Sequence, residues 1–136
     1  MLFRSGHLWF AKQLVEEGII EDPVMVQLCM GIPWGAPNDM NTYMAMVNNV
    51  PDSWVWSAFS IGRMQMPYVA AAALAGGNIR VGLEDNLYLA KGVMAESNAQ
   101  QVWKIRGILD ALSLDIATPA EVRELLSLKG GEQVKF

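Results

Sequence analysis

The sequence contains little of what marks a secreted or disulfide-bonded protein. Cysteine occurs once, as Cys29, and histidine occurs once, as His7. A single cysteine cannot form an internal disulfide, and residues 1–10 lack the charged, apolar and small-residue regions of a secretory signal. These absences predict a cytoplasmic protein without disulfide bonds.

Long apolar runs and clustered positive charge are also missing. The longest apolar stretch, residues 68–75, is far shorter than the roughly 18–20 residues that cross a bilayer. The ten Lys and Arg residues are scattered along the chain, and fourteen Asp and Glu residues bring the net charge to -4. Because that apolar stretch is too short, we expect no membrane span. Because nucleic acids are bound by clustered basic side chains, we expect no nucleic-acid partner. The composition is that of a globular domain.

Three short segments indicate buried parallel strands. Residues 24–30, 54–61 and 78–83 are apolar, rich in β-branched or aromatic residues, and bounded by Gly, Pro or Asn. Helical patterns at residues 39–48 and 65–75 fill the gaps between them. The strand starts are separated by about 25 to 30 residues, the period of a β/α repeat. The sequence therefore predicts an α/β fold.

End signals indicate further helices. Residues 6–18 carry apolar side chains at helical spacing, and Ser-Asn-Ala-Gln at 97–100 predicts a capping box before another helix. A second capping box, Thr-Pro-Ala-Glu at 118–121, predicts a terminal helix that stops near Leu128, before the glycine pair at 130–131. The helix after the first capping box is expected to bury one apolar stripe, formed by Ala99, Val102, Ile105, Ile108, Leu109 and Leu112.

The number of strands suggests part of a larger fold. Three parallel strands cannot close a barrel, and as an open sheet they would leave long unpaired edges. An eight-fold β/α barrel typically takes about 250 residues. We therefore expect residues 1–136 to form one partial domain, the C-terminal half of a TIM barrel with about its last three β/α units.

The run Asn-Ile-Arg-Val-Gly-Leu-Glu-Asp-Asn at 78–86 places charged residues in a predicted strand. Strand alternation puts Arg80, Gly82 and Glu84 on one face, which is expected to line the barrel interior, and Gly82 leaves space there for a ligand. Glu84 and Asp85 come at the carboxyl end of the strand, where barrel active sites are built. A structural salt bridge between Arg80 and Glu84 explains the same spacing, because ion pairs also occur in non-catalytic cores.

A complete metal site is not expected within this chain. Glu84 alone is a poor metal motif, because a catalytic zinc normally has three protein ligands. His7 is interpreted as a helix-start residue that packs on a neighbouring loop, in preference to a ligand. Cys29 lies in a predicted buried strand, which favours an inert thiol over a nucleophile. Further metal ligands would have to come from outside the chain.

The run at 78–86, continued by Leu-Tyr-Leu, resembles the β-keto acid cleavage enzymes, whose founding activity is the cleavage of 3-keto-5-aminohexanoate. The resemblance covers almost the whole chain and aligns it with the C-terminal half of that family. Other motifs agree in order: Gly-His-Leu at 6–8, Gly-Ile-Pro-Trp-Gly at 31–35, Gly-Arg-Met-Gln-Met-Pro at 62–67, Lys-Gly at 91–92, Ser-Asn-Ala at 97–99 and Ala-Thr-Pro-Ala-Glu at 117–121.

The resemblance implies a Zn²⁺-dependent barrel that uses acetyl-CoA to split a β-keto acid into acetoacetate and a new acyl-CoA. It implies Glu84 as a zinc ligand and Arg80 and Asp85 as the catalytic pair, with the guanidinium holding Asp85 ionised. The family's two histidine ligands and its contacts to the substrate carboxylate lie in its N-terminal half and have no counterpart here. The family also suggests a homotetramer, so we expect a homo-oligomer or association with the missing N-terminal half.

Two loops are weaker candidates for binding CoA. Gly31 and Gly35 lie in a strand exit whose amides could approach a CoA phosphate, although such Gly- and Pro-rich segments are more often only turns. Arg63 follows the next strand, and barrels often bind phosphate near their last loops. A surface arginine that caps a loop explains Arg63 equally well.

Two other functions remain open at this point. The chain alone could be a catalytically silent half-barrel, an assembly unit whose exposed strand edges pair with another chain. Another metal-dependent barrel lyase or aldolase is the third interpretation, which substrate profiling would separate from the first.

Overall fold

A computed structural model describes Leu2, residues 4–130 and Val134, and shows a mixed α/β fold with a parallel sheet. A 3₁₀ turn, Gly62–Met64, precedes the third helix. The elements are, in chain order, α1 (Ser5–Glu16), β1 (Met25–Met30), α2 (Met40–Val47), β2 (Val55–Ser60), α3 (Gln65–Leu74), β3 (Asn78–Ile79), β4 (Tyr88–Ala90), β5 (Val93–Met94), α4 (Asn98–Ala111) and α5 (Pro119–Leu125).

The parallel sheet has the order β1-β2-β3. All six residues of β1 pair with β2, ending with Met30 opposite Ser60. β3 pairs with the other edge of β2 through only two residues. Leu2 forms an isolated parallel bridge with Leu28, in which the backbone of Leu2 bonds to the neighbours of Leu28 in β1. The predicted order of alternating helices and parallel strands is confirmed.

The third predicted strand is wrong beyond Ile79. The predictions for 24–30 and 54–61 match β1 and β2 to within one residue at each end. In the third segment, the backbone amides of Asp85 and Asn86 both donate to the carbonyl of Gly82, at 3.2 Å, and close a turn. These two amides therefore do not pair with a neighbouring strand. The turn is followed by the hairpin β4–β5, which the sequence pattern did not predict.

The predicted helices form, with ends shifted by at most two residues for the first three. Asp39 caps α2 by accepting a hydrogen bond from the amide of Thr42, at 2.8 Å. Thr118 and Glu121 form the complete capping box of α5. That helix ends at Leu125, three residues before the predicted stop, and Gly131 of the predicted glycine signal lies outside the described residues. No helix in the described part of the chain is long and apolar enough to cross a membrane.

The buried face of α4 differs from the predicted stripe. Its buried residues are Gln101, Ile105 and Leu109, whereas Val102 is 45% exposed and Leu112 is 40% exposed. The spacing of four residues turns Gln101 towards α3 and the turn after β3, where its amide finds a backbone partner. The first capping box also differs: Ser97 accepts from the amide of residue 100 as predicted, but that glutamine side chain accepts from the amide of residue 96.

Two apolar clusters hold the helices to the sheet. The larger cluster joins α1, α2 and α3 to β1 and β2 and includes Leu8, Leu28, Tyr43, Met46, Ala58, Tyr68 and Ala72. The smaller one joins α3 and α4 to the sheet and consists of Cys29, Phe59, Met66, Val69, Ile105 and Leu109. Cys29 is fully buried, as predicted for an inert thiol.

Candidate active site

The carboxyl ends of the three parallel strands bring the predicted site residues to one edge of the sheet. β1 leads into Gly31, β2 leads into the turn that holds Arg63, and β3 leads directly into Arg80. Parallel α/β folds build their binding and catalytic sites at this edge. The turn at residues 83–85 follows within a few residues of Arg80.

Arg80 joins both carboxylates of this turn. Its Nε donates to Asp85 Oδ2 at 3.0 Å, and its Nη2 donates to Glu84 Oε2 at 2.5 Å. Two longer bonds, each of 3.4 Å, run from Nη1 to Oε1 of Gln27 on β1 and from Nη2 to Oδ1 of Asp85. The guanidinium carbon also lies 4.8 Å from the centre of the Phe59 ring, within the range of a cation–π contact. The structure thus brings together the three charged residues that the sequence singled out, through both ion pairs.

The two carboxylates differ sharply in exposure. The side chain of Asp85 is 4% exposed, whereas that of Glu84 is 78% exposed. Asp85 therefore contacts the guanidinium of Arg80 from the protein interior. The carboxylate of Glu84 contacts it from the surface and is accessible to a ligand from outside the chain. Burial favours the neutral form of a carboxyl group.

Burial also shifts the pKa of Asp85. It raises the pKa of the Asp85 carboxyl above its ordinary value, the Arg80 guanidinium opposes that rise, and the nearby Glu84 adds to it. Arg80 thus acts in the expected direction and favours the ionised carboxylate, although desolvation has the larger effect on the pKa. The ion pair still fixes where the carboxyl group points.

Groups from three other parts of the fold hold the backbone of the turn at residues 82–86. The backbone amide of Gly62 donates to the carbonyl of Asp85 at 2.7 Å. Two side-chain amides donate to carbonyls of the turn: Gln65 Nε2 to Gly82 at 3.2 Å, and Gln101 Nε2 to Asn86. Asn98 Oδ1 accepts a hydrogen bond from the backbone amide of Leu83 at 2.8 Å. Gln65 and Gln101 are fully buried. The carboxylates are thus positioned from the 3₁₀ turn, α3 and α4 together.

The sequence reasoning did not identify these buried glutamines. A polar residue on the apolar face of a predicted helix was the available signal, since a buried amide requires hydrogen-bond partners. Gln65 and Gln101 each use Nε2 on the turn, and neither Oε1 has a partner among the described residues.

The glycines predicted to bind substrate or CoA contact other residues of this chain. A Cβ on Gly82 would lie 3.2 Å from Oδ1 of Asn98, so the side chain of Asn98 occupies the space beside it. The amide of Gly31 donates to the carbonyl of Ala36 at 2.8 Å, and the amide of Gly35 donates within the same loop. A substrate contact at Gly82 and CoA contacts at Gly31 and Gly35 stay predictions.

The described residues do not supply a whole metal site. Within this part of the chain, no three His, Cys, Asp or Glu side chains form a group that could hold a metal ion. Burial raises the pKa of Cys29 to about 11, which disfavours the thiolate that a metal requires. The Glu84 carboxylate is exposed near the strand ends. Exposure is what we expect of a carboxylate that binds a metal ion together with residues from outside this chain.

A parallel α/β fold with an arginine and two carboxylates clustered at its strand ends is of the class that carries enzyme active sites there. The sequence model of the β-keto acid cleavage enzymes matches residues 1–128. The chain therefore belongs to the β-keto acid cleavage enzyme family.

Curated relatives agree with this assignment. The chain is 65% identical, over 93% of its own length and 42% of the relative, to 3-dehydrocarnitine:acetyl-CoA trimethylamine transferase of Rhizobium meliloti strain 1021. It is 40% identical, over 96% of its length and 44% of the relative, to 3,5-dioxohexanoate:acetyl-CoA acetone transferase of Paraburkholderia graminis. A 3-keto-5-aminohexanoate cleavage enzyme of Fusobacterium nucleatum is 33% identical over 94% of the chain and 46% of the relative. The chain spans somewhat less than half the length of these curated relatives.

Proposed function

We propose that this chain supplies part of the active site of an enzyme that uses acetyl-CoA to convert a β-keto acid into acetoacetate and a new acyl-CoA. The observation that carries the proposal is the exposed carboxylate of Glu84 beside the buried carboxyl of Asp85, both bound by Arg80. The names of the 65% and 40% identical relatives, which both contain acetyl-CoA, support the choice of co-substrate.

The fold we propose for the whole protein is a TIM barrel, of which this chain forms one partial domain. Two features support it: the parallel order β1-β2-β3, and the position of Arg80, Glu84 and Asp85, the charged cluster, at the strand ends. The outer edge of β3 carries no further strand among the described residues, so a strand from outside the chain would complete that edge.

Glu84 is the residue of this chain that would hold Zn²⁺. Its exposed carboxylate is a suitable donor, and the remaining ligands of a catalytic zinc would come from outside the chain. A zinc ion bound there would polarise the β-keto oxygen of the substrate as a Lewis acid. Arg80 would keep the Glu84 carboxylate in place through the bond to Oε2.

Arg80 and Asp85 are proposed to carry the charge and proton movements beside the metal ligand. A guanidinium aimed at the reacting centre stabilises negative charge that develops on the substrate. The Asp85 carboxyl, which the Nε bond of Arg80 holds in place, is the group of this cluster we assign to accept and return a proton. The buried position of Asp85 excludes bulk water from that exchange.

We propose 3-dehydrocarnitine as the β-keto acid, because it is named as the substrate of the 65% identical relative. The two other relatives are named for 3,5-dioxohexanoate and 3-keto-5-aminohexanoate. An assay of acyl-CoA formation with each of the three acids and acetyl-CoA tests this choice. Turnover of either other acid in preference to 3-dehydrocarnitine would overturn the substrate but not the reaction class.

The metal assignment is tested by Glu84→Gln in the complete protein that contains this chain. We expect zinc affinity to fall at least about tenfold and acyl-CoA formation to fall at least about 100-fold, measured by elemental analysis and by liquid chromatography. Glu124→Gln, an exposed change on α5, is the control and should alter neither quantity. Unchanged zinc content and unchanged cleavage in Glu84→Gln would show that the assignment is wrong.

A further inference from the structure

A cleft of about 770 Å³ lies between the β4–β5 hairpin, the start of α3 and one face of α4. We call it the basic cleft, and it is lined by Arg63, Met66, Pro67, Ala70, Asn86, Tyr88, Leu89, Ala90, Lys91, Gly92, Lys104 and Ile108. Its volume lies in the range of sites that bind small molecules and cofactors. The cleft is separate from the charged cluster, but it begins at Asn86, the residue that follows Asp85.

The charge of the basic cleft is opposite to that of the whole chain. Three cations, Arg63, Lys91 and Lys104, line it, and no acidic residue is among the described residues that do so. The chain as a whole carries a net charge of -4. Three basic groups without a neutralising carboxylate attract an anion, and phosphate is an anion that Arg and Lys commonly bind in proteins.

Two of these cations are free for a ligand. Within the described part of the chain, the side chains of Arg63 and Lys91 make no hydrogen bond or ion pair, and both are exposed. Lys104 donates to the backbone carbonyl of Leu89, which ties α4 to the hairpin and leaves two further N–H groups of its ammonium. The third cation is therefore held in position over the cleft.

The remaining walls suit the rest of a nucleotide cofactor. The apolar side chains of Met66, Leu89 and Ile108 line the cleft, and Tyr88, 47% exposed, offers a ring for stacking. The Asn86 side chain donates to the carbonyl of Tyr88 at 2.7 Å and accepts from its amide at 3.0 Å. Asn86 thus couples the cleft to the turn that carries Glu84.

We infer that the basic cleft binds the 3′-phosphorylated ADP end of acetyl-CoA, with Arg63, Lys91 and Lys104 on its phosphates. The inference rests on the proposed function for the identity of the cofactor. The thioester end would then extend past Asn86 towards the carboxylates of the turn. The sequence analysis assigned no binding role to Lys91 or Lys104.

The test is isothermal titration calorimetry of CoA on the complete protein that contains this chain. Loss of a charge-assisted hydrogen bond to phosphate is expected to raise the Kd of CoA about tenfold in Arg63→Gln and in Lys91→Gln. Arg123→Gln and Lys129→Gln, exposed cations outside the cleft, are the matched controls and should leave the Kd unchanged. Adenosine 3′,5′-bisphosphate, used as a second probe, should lose affinity in the same two cleft variants.

Kinetics separate this inference from the proposed function. S-acetyl-N-acetylcysteamine, a thioester without phosphates, cannot use the cleft, so the cleft variants should lower kcat/KM for acetyl-CoA about tenfold relative to it. Cleavage with unchanged acetyl-CoA kinetics and unchanged Kd in both variants would overturn the cleft and leave the reaction standing. Weaker CoA binding in the variants of a protein that cleaves no β-keto acid would support the cleft and reject the reaction.

Discussion

Arg80 is the residue around which the site is organised. Its guanidinium contacts two carboxylates, the Gln27 amide and the face of Phe59, and its side chain is only 25% exposed. The five N–H donors of a guanidinium lie in one plane, so a lysine could not make the same set of contacts. The ion pairs agree with a structural salt bridge and with a catalytic role alike, and the exposure of Glu84 is what favours the second.

Glycine at position 31 is required by two independent features of the loop after β1. The residue has a φ of +76°, and a Cβ there would lie 2.6 Å from Nδ2 of Asn38 and 2.9 Å from Oγ of Ser60. Ser60 already donates to Asn38 at 2.6 Å, so neither polar group can move without losing that bond. Backbone conformation and packing at the strand ends therefore both explain this glycine.

We predict that Gly31→Ala destabilises the protein by more than Gly18→Ala. The left-handed backbone costs alanine about 1–2 kcal/mol at either site, and overpacking adds about 1–3 kcal/mol at position 31. Gly18 has a similar φ of +70°, and a Cβ there would meet no heavy atom within 4 Å, which makes it the matched control. Urea unfolding of the two variants measures the difference. Equal free energies of unfolding would contradict the packing explanation.

At the scale of elements, the short β3 is compensated by contacts from helices. Only two residues of β3 pair with β2, yet the turn that follows is bonded to the 3₁₀ turn, α3 and α4. Two of those bonds come from the fully buried side chains of Gln65 and Gln101. Helix packing therefore sets the position of Glu84 and Asp85 more than the strand ladder does.

We predict that Gln101→Leu lowers kcat for acetyl-CoA-dependent cleavage. The change leaves the buried carbonyl of Asn86 without its donor, which is expected to cost about 1–3 kcal/mol and to loosen the turn. Steady-state kinetics and urea unfolding of the complete protein measure both effects. Gln13→Leu, at an exposed position of α1, should change neither quantity appreciably. A wild-type kcat in a destabilised Gln101→Leu variant would show that Gln101 is structural only.

At the scale of the whole molecule, two features of the described residues stand out: the lack of a three-ligand metal site and the exposure of large apolar side chains. Trp9, Trp34 and Trp103 are 76%, 92% and 71% exposed. The described residues contain no group of three metal-binding side chains. Both features agree with a chain that spans less than half the length of its curated relatives.

We predict that residues 1–136 expressed alone retain no stoichiometric zinc after gel filtration. Glu84 offers a single carboxylate, whereas a catalytic site normally takes three protein ligands. Elemental analysis of the eluted protein provides the measurement, and the complete protein serves as the positive control. One zinc per chain in the isolated 136 residues would show that this chain carries a full ligand set, and would count against shared ligation. Acetyl-CoA-dependent cleavage by the isolated chain would exclude the silent half-barrel.

The sequence by itself determined the order of helices and parallel strands, the buried β1 and β2, and the starts of α2 and α5 to within one residue. These features depend on apolar periodicity and on capping side chains a few residues away, which are local and visible in one dimension. The resemblance in the 78–86 run also pointed to the residues that form the charged cluster.

Only the tertiary structure decided where β3 ends, which face of α4 is buried and how the carboxylates meet Arg80. The backbone amides of Asp85 and Asn86 donate to the carbonyl of Gly82 and not to a neighbouring strand. The buried side chain of Gln101 donates to the backbone carbonyl of Asn86, which is distant in sequence. The same reason applies to the basic cleft, whose cations lie 28 and 13 residues apart along the chain and meet only when α4 packs beside the hairpin. Hydrogen bonds and charges between elements depend on that packing, so no local pattern encodes them.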